Sequence, residues 1–255
     1  MSKQWARFAG LILFLACPPS GRSAQLAPEI VREISNAITP VLDVVCTDMF
    51  RTTYFTKGKV IGQSVSEQSV ASARTNGDRL TAFTETTRVN GVPVPNTNAN
   101  SNINVGASFS DQRLMIFRSQ VGFFTFRIAA PDTSVGPPDS RLIIEFELKK
   151  QMPGVTPYLP DSGKAVIDRE TKRVIRLELR YLGVTQVPGP TFPRGDTTII
   201  QNFGHVSMEE ASAWMATYST THLIEEANKD RTRIYVHDYG NCKKFRVSVS
   251  IKTED

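Results

Sequence analysis

Histidine and cysteine are scarce in this chain of 255 residues, which contains three of each. His205, His222 and His237 are far apart in the sequence, and none of them forms the H-E-x-x-H spacing of a helical zinc site. The adjacent His237 and Asp238 do not indicate a catalytic pair, because neighbouring residues of a strand point to opposite faces. We therefore expect neither a histidine-based catalytic centre nor a metal site.

The motifs of several large enzyme classes are also missing. The sequence has no G-x-S-x-G elbow, so a serine hydrolase of the α/β type has no support. It contains neither a P-loop nor a G-x-G-x-x-G segment, which excludes the common phosphate-binding loops of nucleotide-dependent enzymes. We therefore expect a non-catalytic protein that holds no cofactor.

No apolar run in the sequence reaches the about 20 residues that a membrane-spanning helix needs. A short apolar run, 8–16, follows basic residues and precedes small and polar ones. This order predicts a secretory signal in residues 1–23, cut after Ser23, and hence a periplasmic or extracellular protein with no transmembrane segment after cleavage. The alternative is a lipoprotein-type signal in which Cys17 carries the lipid, which would anchor the protein to a membrane surface.

The surplus of positive charge lies mostly in that first segment. The whole chain has a net charge of +5, from 30 basic and 25 acidic residues. Lys3, Arg7 and Arg22 precede the expected domain, so 27 basic residues face 25 acidic ones after cleavage, a net charge of +2. A balance so close to neutral does not indicate a nucleic-acid-binding protein. We expect no nucleic acid partner.

Two cysteines, Cys46 and Cys242, remain after the predicted cleavage. In an oxidising compartment, an isolated pair is a candidate for a disulfide bond. Such a bond would connect the start of the domain to its end. Two separate buried thiols are the alternative that the sequence leaves open.

The rest of the chain, 28–255, has the pattern of a single β-rich domain. Residues 28–38 place isoleucines at i, i+4 and i+8, which predicts an amphipathic helix. Beyond the helix the apolar period is two, which is typical of antiparallel strands with one face exposed to water. The clearest such segments are 122–128, 142–149, 173–181 and 245–251.

Turn residues separate these strand-like segments. Predicted turns lie at Asn90-Gly91, at 168–171 and at 239–241. The segment 208–217 has helix propensity, but it lies between alternating strands, and propensity is often overridden by tertiary context. We therefore predict a hairpin that turns near Glu209-Glu210.

The order of these features resembles that of a large group of uncharacterised bacterial exported proteins. In that group a cysteine follows the first helix, a D-x-x-T turn precedes a strand, and an N-Y-R-K-F-like segment precedes the last strand. The corresponding features here are Cys46, the turn at 168–171 and the segment 243–245, although 240–242 departs from the Asn-Tyr-Arg run of the group. Those proteins resemble the lipoprotein-carrier (LolA/LolB-like) fold. The resemblance implies an α+β, mainly β fold: a single curved antiparallel sheet, or half-barrel, with an N-terminal helix and little other helix.

The resemblance also implies a function. A half-barrel of this kind encloses an apolar concavity suited to an acyl chain, and Phe124, Phe126, Phe146 and Leu177 are the residues expected to line it. We expect an exported, non-catalytic cell-envelope protein that binds a lipid-like or hydrophobic ligand. The alternative is an envelope interaction or assembly protein with a solid core and no ligand.

Overall fold

The computed structural model describes residues 26–38, 44–75, 79–94, 101–104, 111–130, 138–149, 159–182, 195–209 and 211–244. The predicted signal segment 1–23, with Cys17, and the predicted strand 245–251 lie outside these residues. Among the described residues, no helix has both the length and the apolar character needed to cross a membrane.

One α-helix and twelve strands make up most of the described residues. The helix α1 spans Pro28–Ala37, and short 3₁₀ helices cover Asp111–Phe117, Val121–Phe123 and Pro138–Ser140. The strands are β1 (Val44–Thr56), β2 (Lys59–Thr75), β3 (Arg79–Val89), β4 (Val92–Pro93), β5 (Ser101–Asn104), β6 (Phe124–Ile128), β7 (Arg141–Leu148), β8 (Ser162–Asp168), β9 (Val174–Tyr181), β10 (Gly195–Met208), β11 (Ala211–Glu225) and β12 (Arg231–Lys244).

All twelve strands belong to one antiparallel sheet. Its order is β4-β3-β2-β1-β12-β11-β10-β9-β8-β7-β6, and β5 pairs with β3 beside β4. Within the described residues the sheet does not close on itself, which confirms the predicted half-barrel with one helix near the N-terminus. Because β1 pairs with both β2 and β12, the first and the last of the described strands lie side by side in the middle of the sheet.

The core lies between the sheet and the segments that cross it. The helix α1 contributes Val31 and Ile34, and the 3₁₀ helix Asp111–Phe117 contributes Ile116 and Phe117. Alternation along the strands supplies the facing layer, because every second side chain of a strand points to the same face. The strand side chains of this cluster include Phe124, Phe126, Ile144, Phe146, Ala165, Leu177, Leu179, Ile199 and Phe203.

Three of the predicted turns are confirmed. Asn90 and Gly91 join β3 to β4 with φ values of 50° and 81°, the left-handed backbone that a tight two-residue hairpin needs. Met208 pairs with Ala211, so the chain reverses between them as predicted.

In the third confirmed turn, after β8, the backbone N–H of Thr171 donates to Asp168 Oδ1 at 2.8 Å. This bond, with help from the Thr171 hydroxyl and Arg141 and against the effect of burial, lowers the pKa of Asp168.

The turn predicted at 239–241 was wrong. These residues lie inside β12, and the chain continues as a strand to Lys244. Their Gly and Asn residues mark an irregularity in the pairing instead: the register with β1 shifts between Val45 and Thr47, and Asn241 has a φ of 48°. An extra residue in one strand bends it locally without ending it, which is the behaviour of a β-bulge.

Candidate functional site

A cavity of about 460 Å³ lies beside α1, where the helix and the 3₁₀ segment 111–123 approach strand β6. We call it the helix pocket. Its apolar lining consists of Leu26, Pro28, Val31, Phe117, Val121, Phe124 and Phe126, and its polar lining of Arg32, Ser35, Arg118, Thr125 and Lys149. The lining residues of α1 recur at i, i+3, i+4 and i+7, which places them along one side of the helix.

The inner part of the helix pocket is aromatic. Phe117, Phe124 and Phe126 are all buried, and at most 8% of the surface of each residue is exposed. The rings of Phe117 and Phe126 lie 5.7 Å apart, and those of Phe124 and Phe126 lie 6.3 Å apart. Aromatic pairs at such distances pack in tilted or edge-to-face arrangements, which fixes the orientation of the rings. The result is an apolar floor of closely packed rings.

The outer part of the helix pocket is cationic. Arg32 of α1, Arg118 after the first 3₁₀ helix and Lys149 after β7 are exposed side chains of its lining. The Lys149 ammonium donates to the carbonyl oxygen of Gly122 at 2.9 Å, and its backbone N–H donates to the carbonyl oxygen of Phe123 at 2.9 Å. These two bonds hold the charge of Lys149 next to the aromatic floor.

The four side chains predicted to line a cavity occupy two different positions. Phe124 and Phe126 contribute to the helix pocket. Phe146 packs behind them, with its ring 5.6 Å from that of Phe124, and Leu177 is fully buried in the same core cluster. Neither Phe146 nor Leu177 belongs to the lining of this pocket. The structure therefore joins all four in one core but brings only two of them to the pocket.

The cations of the helix pocket could not be predicted from the sequence. Arg32, Arg118 and Lys149 come from segments that are far apart in the sequence, and each alone has the pattern of an ordinary exposed charge. The only signal in the sequence was the position of Arg32 on the α1 side that also carries Val31. That signal is weak, because amphipathic helices commonly place charges beside their apolar stripe.

A second polar cluster lies in the middle of the sheet, on β1 and β12. His237 Nδ1 is 2.7 Å from Asp48 Oδ2, and Asp48 is almost completely buried. The His237 ring is stacked between Phe50 and Tyr239, at centroid distances of 4.6 and 5.9 Å. Asp238, the neighbour of His237 in the sequence, instead approaches Arg51. The partner of this histidine is thus a residue 189 positions away.

Ser219 of β11 stands opposite His237 in the strand register. It is fully buried, and its hydroxyl oxygen accepts a hydrogen bond from Arg113 at 3.2 Å. A nucleophile must be reached by its substrate, whereas Ser219 is fully buried and bonded to Arg113, so its place opposite His237 is that of a packing residue. Burial, reinforced by the charge of Asp48 and opposed by Arg113, raises the pKa of Tyr239 well above its ordinary value.

Cys46 and Cys242 form a disulfide bond, as predicted, with their Cα atoms 4.1 Å apart. The bond connects β1 to β12 at the bulge described above. Among the described residues, no group of three histidine, cysteine, aspartate or glutamate side chains could hold a metal ion.

Taken together, the strands and the pocket define a curved antiparallel sheet with a helix over its apolar face. No protein-family model and no curated protein matches the sequence. One solved structure similar to the chain is a domain from Vibrio parahaemolyticus that is named for outer membrane lipoprotein sorting. It is 10% identical with a TM-score of 0.43, and the match covers 85% of this chain and 91% of that one.

Another similar solved structure is a DUF1329 family protein from Desulfovibrio piger ATCC 29098. It is 11% identical with a TM-score of 0.43, and the match covers 88% of this chain and 93% of that one. Identities and TM-scores of this size carry no argument about the fold, the ligand or the function of this chain.

Proposed function

We propose that this protein is an exported, non-catalytic component of the cell envelope that binds a hydrophobic or lipid-like ligand in the helix pocket. The observation that carries the proposal is a cavity of about 460 Å³ with an aromatic floor. Sites for small ligands have volumes of roughly 300–1,000 Å³ and are lined mainly by apolar and aromatic side chains, with a few polar groups.

The physical driving force for such binding is the removal of apolar surface from water. Each methylene group that enters an apolar site contributes about 0.8 kcal/mol. The floor made by Phe117, Phe124 and Phe126 is held by ring packing before any ligand arrives. A preformed site binds more tightly because less conformational entropy is lost on binding.

The helix pocket also supports ligand binding over the alternative of an assembly protein with a solid core. A solid core would place α1 directly against the sheet along its whole length. Here Val31 and Ile34 of α1 are buried, while the side of the helix that carries Arg32 and Ser35 borders the cavity. The side of the helix with Arg32 and Ser35 therefore borders an open groove, which supports a ligand there.

A charge placed in the pocket lining tests the proposal. Val121 lines the pocket and is 37% exposed, so Val121→Asp introduces a carboxylate without removing a core side chain. We expect the variant to bind Nile red, a neutral apolar dye, about tenfold more weakly, because the ligand would have to desolvate the new charge. A fluorescence titration measures the dissociation constant.

Val65→Asp is the matched control for this experiment. Val65 is also a valine with 37% exposure, but it lies on β2 in the other half of the sheet. The Val65→Asp variant should therefore bind the dye as tightly as the wild-type protein does. Equal affinities for the two variants, or a wild-type protein that binds no apolar dye at all, would contradict the proposed function.

Export is supported by chemistry at both ends of the chain. A disulfide between Cys46 and Cys242 is typical of an oxidising compartment such as the periplasm or the cell exterior. The order of charged, apolar and small residues at the start of the sequence supports a cleaved signal.

We expect the intact mass of the protein recovered from cells to match a chain cut after Ser23 and lacking two hydrogens. A mass that includes residues 1–23 would refute cleavage, and an acyl group on Cys17 would establish the lipoprotein alternative.

A further inference from the structure

We infer that the end of the β1–β2 hairpin is a docking surface for an anionic phospholipid bilayer. This surface, the hairpin tip, consists of residues 56–61. Its lysines bind lipid head groups, and its apolar side chains enter the interface between head groups and acyl chains. The inference goes beyond the proposed function, because none of these residues lines the helix pocket.

The exposed apolar side chains are concentrated in one part of the sheet. Among the described residues, eight large apolar side chains are exposed, and six of them lie on β1–β4. These six are Met49, Val60, Ile61, Val65, Val89 and Val92. Val60 and Ile61, which are adjacent in the hairpin tip, are 53% and 66% exposed. Single exposed apolar residues are ordinary, whereas a group of them marks an interaction surface.

The position of the hairpin tip leaves it accessible on one side and held on the other. The last residue of β3, Val89, pairs with Ser66, so no described strand pairs with residues 59–64 on the side away from β1. On the β12 side, the backbone N–H of Lys57 donates to the carbonyl oxygen of Asp230 at 2.9 Å. The hairpin tip is therefore an anchored turn and not a loose end of the sheet.

The charge of the hairpins favours an anionic bilayer as the occupant. Residues 49–66 and 86–94, which surround the β1–β2 and β3–β4 turns, contain no acidic residue. Their cations are Arg51, Lys57, Lys59 and Arg88. Exposed cations beside exposed apolar side chains bind a membrane surface by two forces, attraction to anionic head groups and removal of apolar surface from water.

Acidic residues on the neighbouring elements do not cancel this charge. Asp238 of β12 approaches Arg51 at 3.9 Å, which leaves the other three cations of the hairpins. Asp196 of β10 lies 3.5 Å from the Lys229 ammonium. The rest of the β11–β12 segment beside the hairpin tip carries Glu226, Asp230 and Arg231. One surplus carboxylate therefore stands against three exposed cations.

The hairpin tip is poorly suited to a strand of another protein. The register between β1 and β2 shifts where Tyr54 pairs with Gly62 and Phe55 pairs with Val60, so this edge of the sheet is bulged. Bulges and lysines are devices by which edge strands avoid pairing with other chains. A bilayer needs no strand pairing, and the same lysines serve as its binding groups.

The test measures binding of the wild-type chain to two kinds of vesicle by flotation. One kind is phosphatidylcholine alone, and the other is equal parts of phosphatidylcholine and phosphatidylglycerol. We expect binding to the anionic vesicles to be at least about tenfold tighter, because each lysine near an anionic surface contributes about fivefold. Molar salt should remove most of this preference, since it shortens the Debye length to about 3 Å.

Two variants of the hairpin tip separate the two forces. Ile61→Ser should weaken binding to the anionic vesicles about tenfold, because it removes an apolar side chain that the interface would bury. Lys57→Gln, Lys59→Gln should weaken it by at least a similar factor and leave binding to the neutral vesicles unchanged.

Each variant has a matched control elsewhere on the sheet. Leu182→Ser removes a side chain that is 61% exposed and follows β9, five strands away from β2. Lys243→Gln, Lys244→Gln removes two exposed lysines at the opposite end of β12. Both controls should bind the anionic vesicles as tightly as the wild-type protein does.

Three results would overturn the inference. The first is a wild-type protein that does not bind the anionic vesicles, and the second is binding that neither variant of the hairpin tip weakens beyond its control. The third is a wild-type dimer that Ile61→Ser converts to a monomer, which would assign the hairpin tip to a second copy of the chain. All of them leave the proposed function standing, because it is judged by Nile red binding in the helix pocket.

Discussion

Replacing Cys46 and Cys242 together by alanine lowers the free energy of unfolding by about 2–5 kcal/mol. The bridge joins residues separated by 196 positions, so it removes a large number of open conformations from the unfolded chain. For a loop of this length, the chain-entropy treatment gives a value near the upper end, about 5 kcal/mol. Urea unfolding followed by tryptophan fluorescence measures the change.

Reduction of the wild-type protein is the internal control for this result. Wild-type protein kept in reductant should unfold at the same urea concentration as the double variant, and the variant should not respond to reductant. Alanine is the appropriate replacement because Cys46 is buried, and a serine hydroxyl there would add the cost of an unpaired polar group. A double variant as stable as the oxidised wild type would show that the bridge contributes nothing to stability.

His237→Phe destabilises the protein by about 3 kcal/mol or more. Phenylalanine keeps a ring between Phe50 and Tyr239, so the stacking is largely preserved. It removes Nδ1, the partner of Asp48 Oδ2, and Asp48 Oδ1 already lacks a hydrogen-bond partner among the described residues. A carboxylate that is 1% exposed is then left without compensation. Urea unfolding at neutral pH measures this loss.

The double variant Asp48→Leu, His237→Phe separates the polar interaction from packing. Replacing both members of a buried polar pair by apolar groups of similar size is often neutral, so the double variant should recover most of the lost stability. A double variant no more stable than His237→Phe would show that ring packing, and not the unpaired carboxylate, explains the effect. Dye binding should be unaffected in both variants, because neither residue lines the helix pocket.

The strands of this fold could be predicted wherever a period of two was undisturbed. Within residues 142–148, apolar side chains alternate with Glu145 and Glu147. The structure has strand β7 there, with Phe146 buried and Glu147 exposed. The prediction at 239–241 failed because Gly and Asn residues favour both turns and bulges. Only the partner strand decides between the two, and β1 is almost 200 residues earlier in the sequence.

The site was less predictable than the fold for the same reason. Phe124 and Phe126 could be assigned to an apolar interior from alternation alone, but their access to a cavity depends on where α1 and the segment 111–123 cross the sheet. For the pair of Asp48 and His237, the sequence gives one weak signal, which concerns the burial of Asp48. Asp48 follows Val44 and Cys46 at alternating positions, so it had to face the interior if β1 was a strand.

The position of β1 beside β12 makes completion of the sheet depend on the end of the chain. A fragment that stops before residue 231 contains β1–β5 as one group and β6–β11 as another, and no described strand pairing joins them. In such a fragment, β1 and β11 would each present a row of unpaired backbone groups that β12 covers in the complete sheet. The two groups of strands are therefore held in one sheet only after β12 has paired with both, which makes this pairing a late, long-range step of folding.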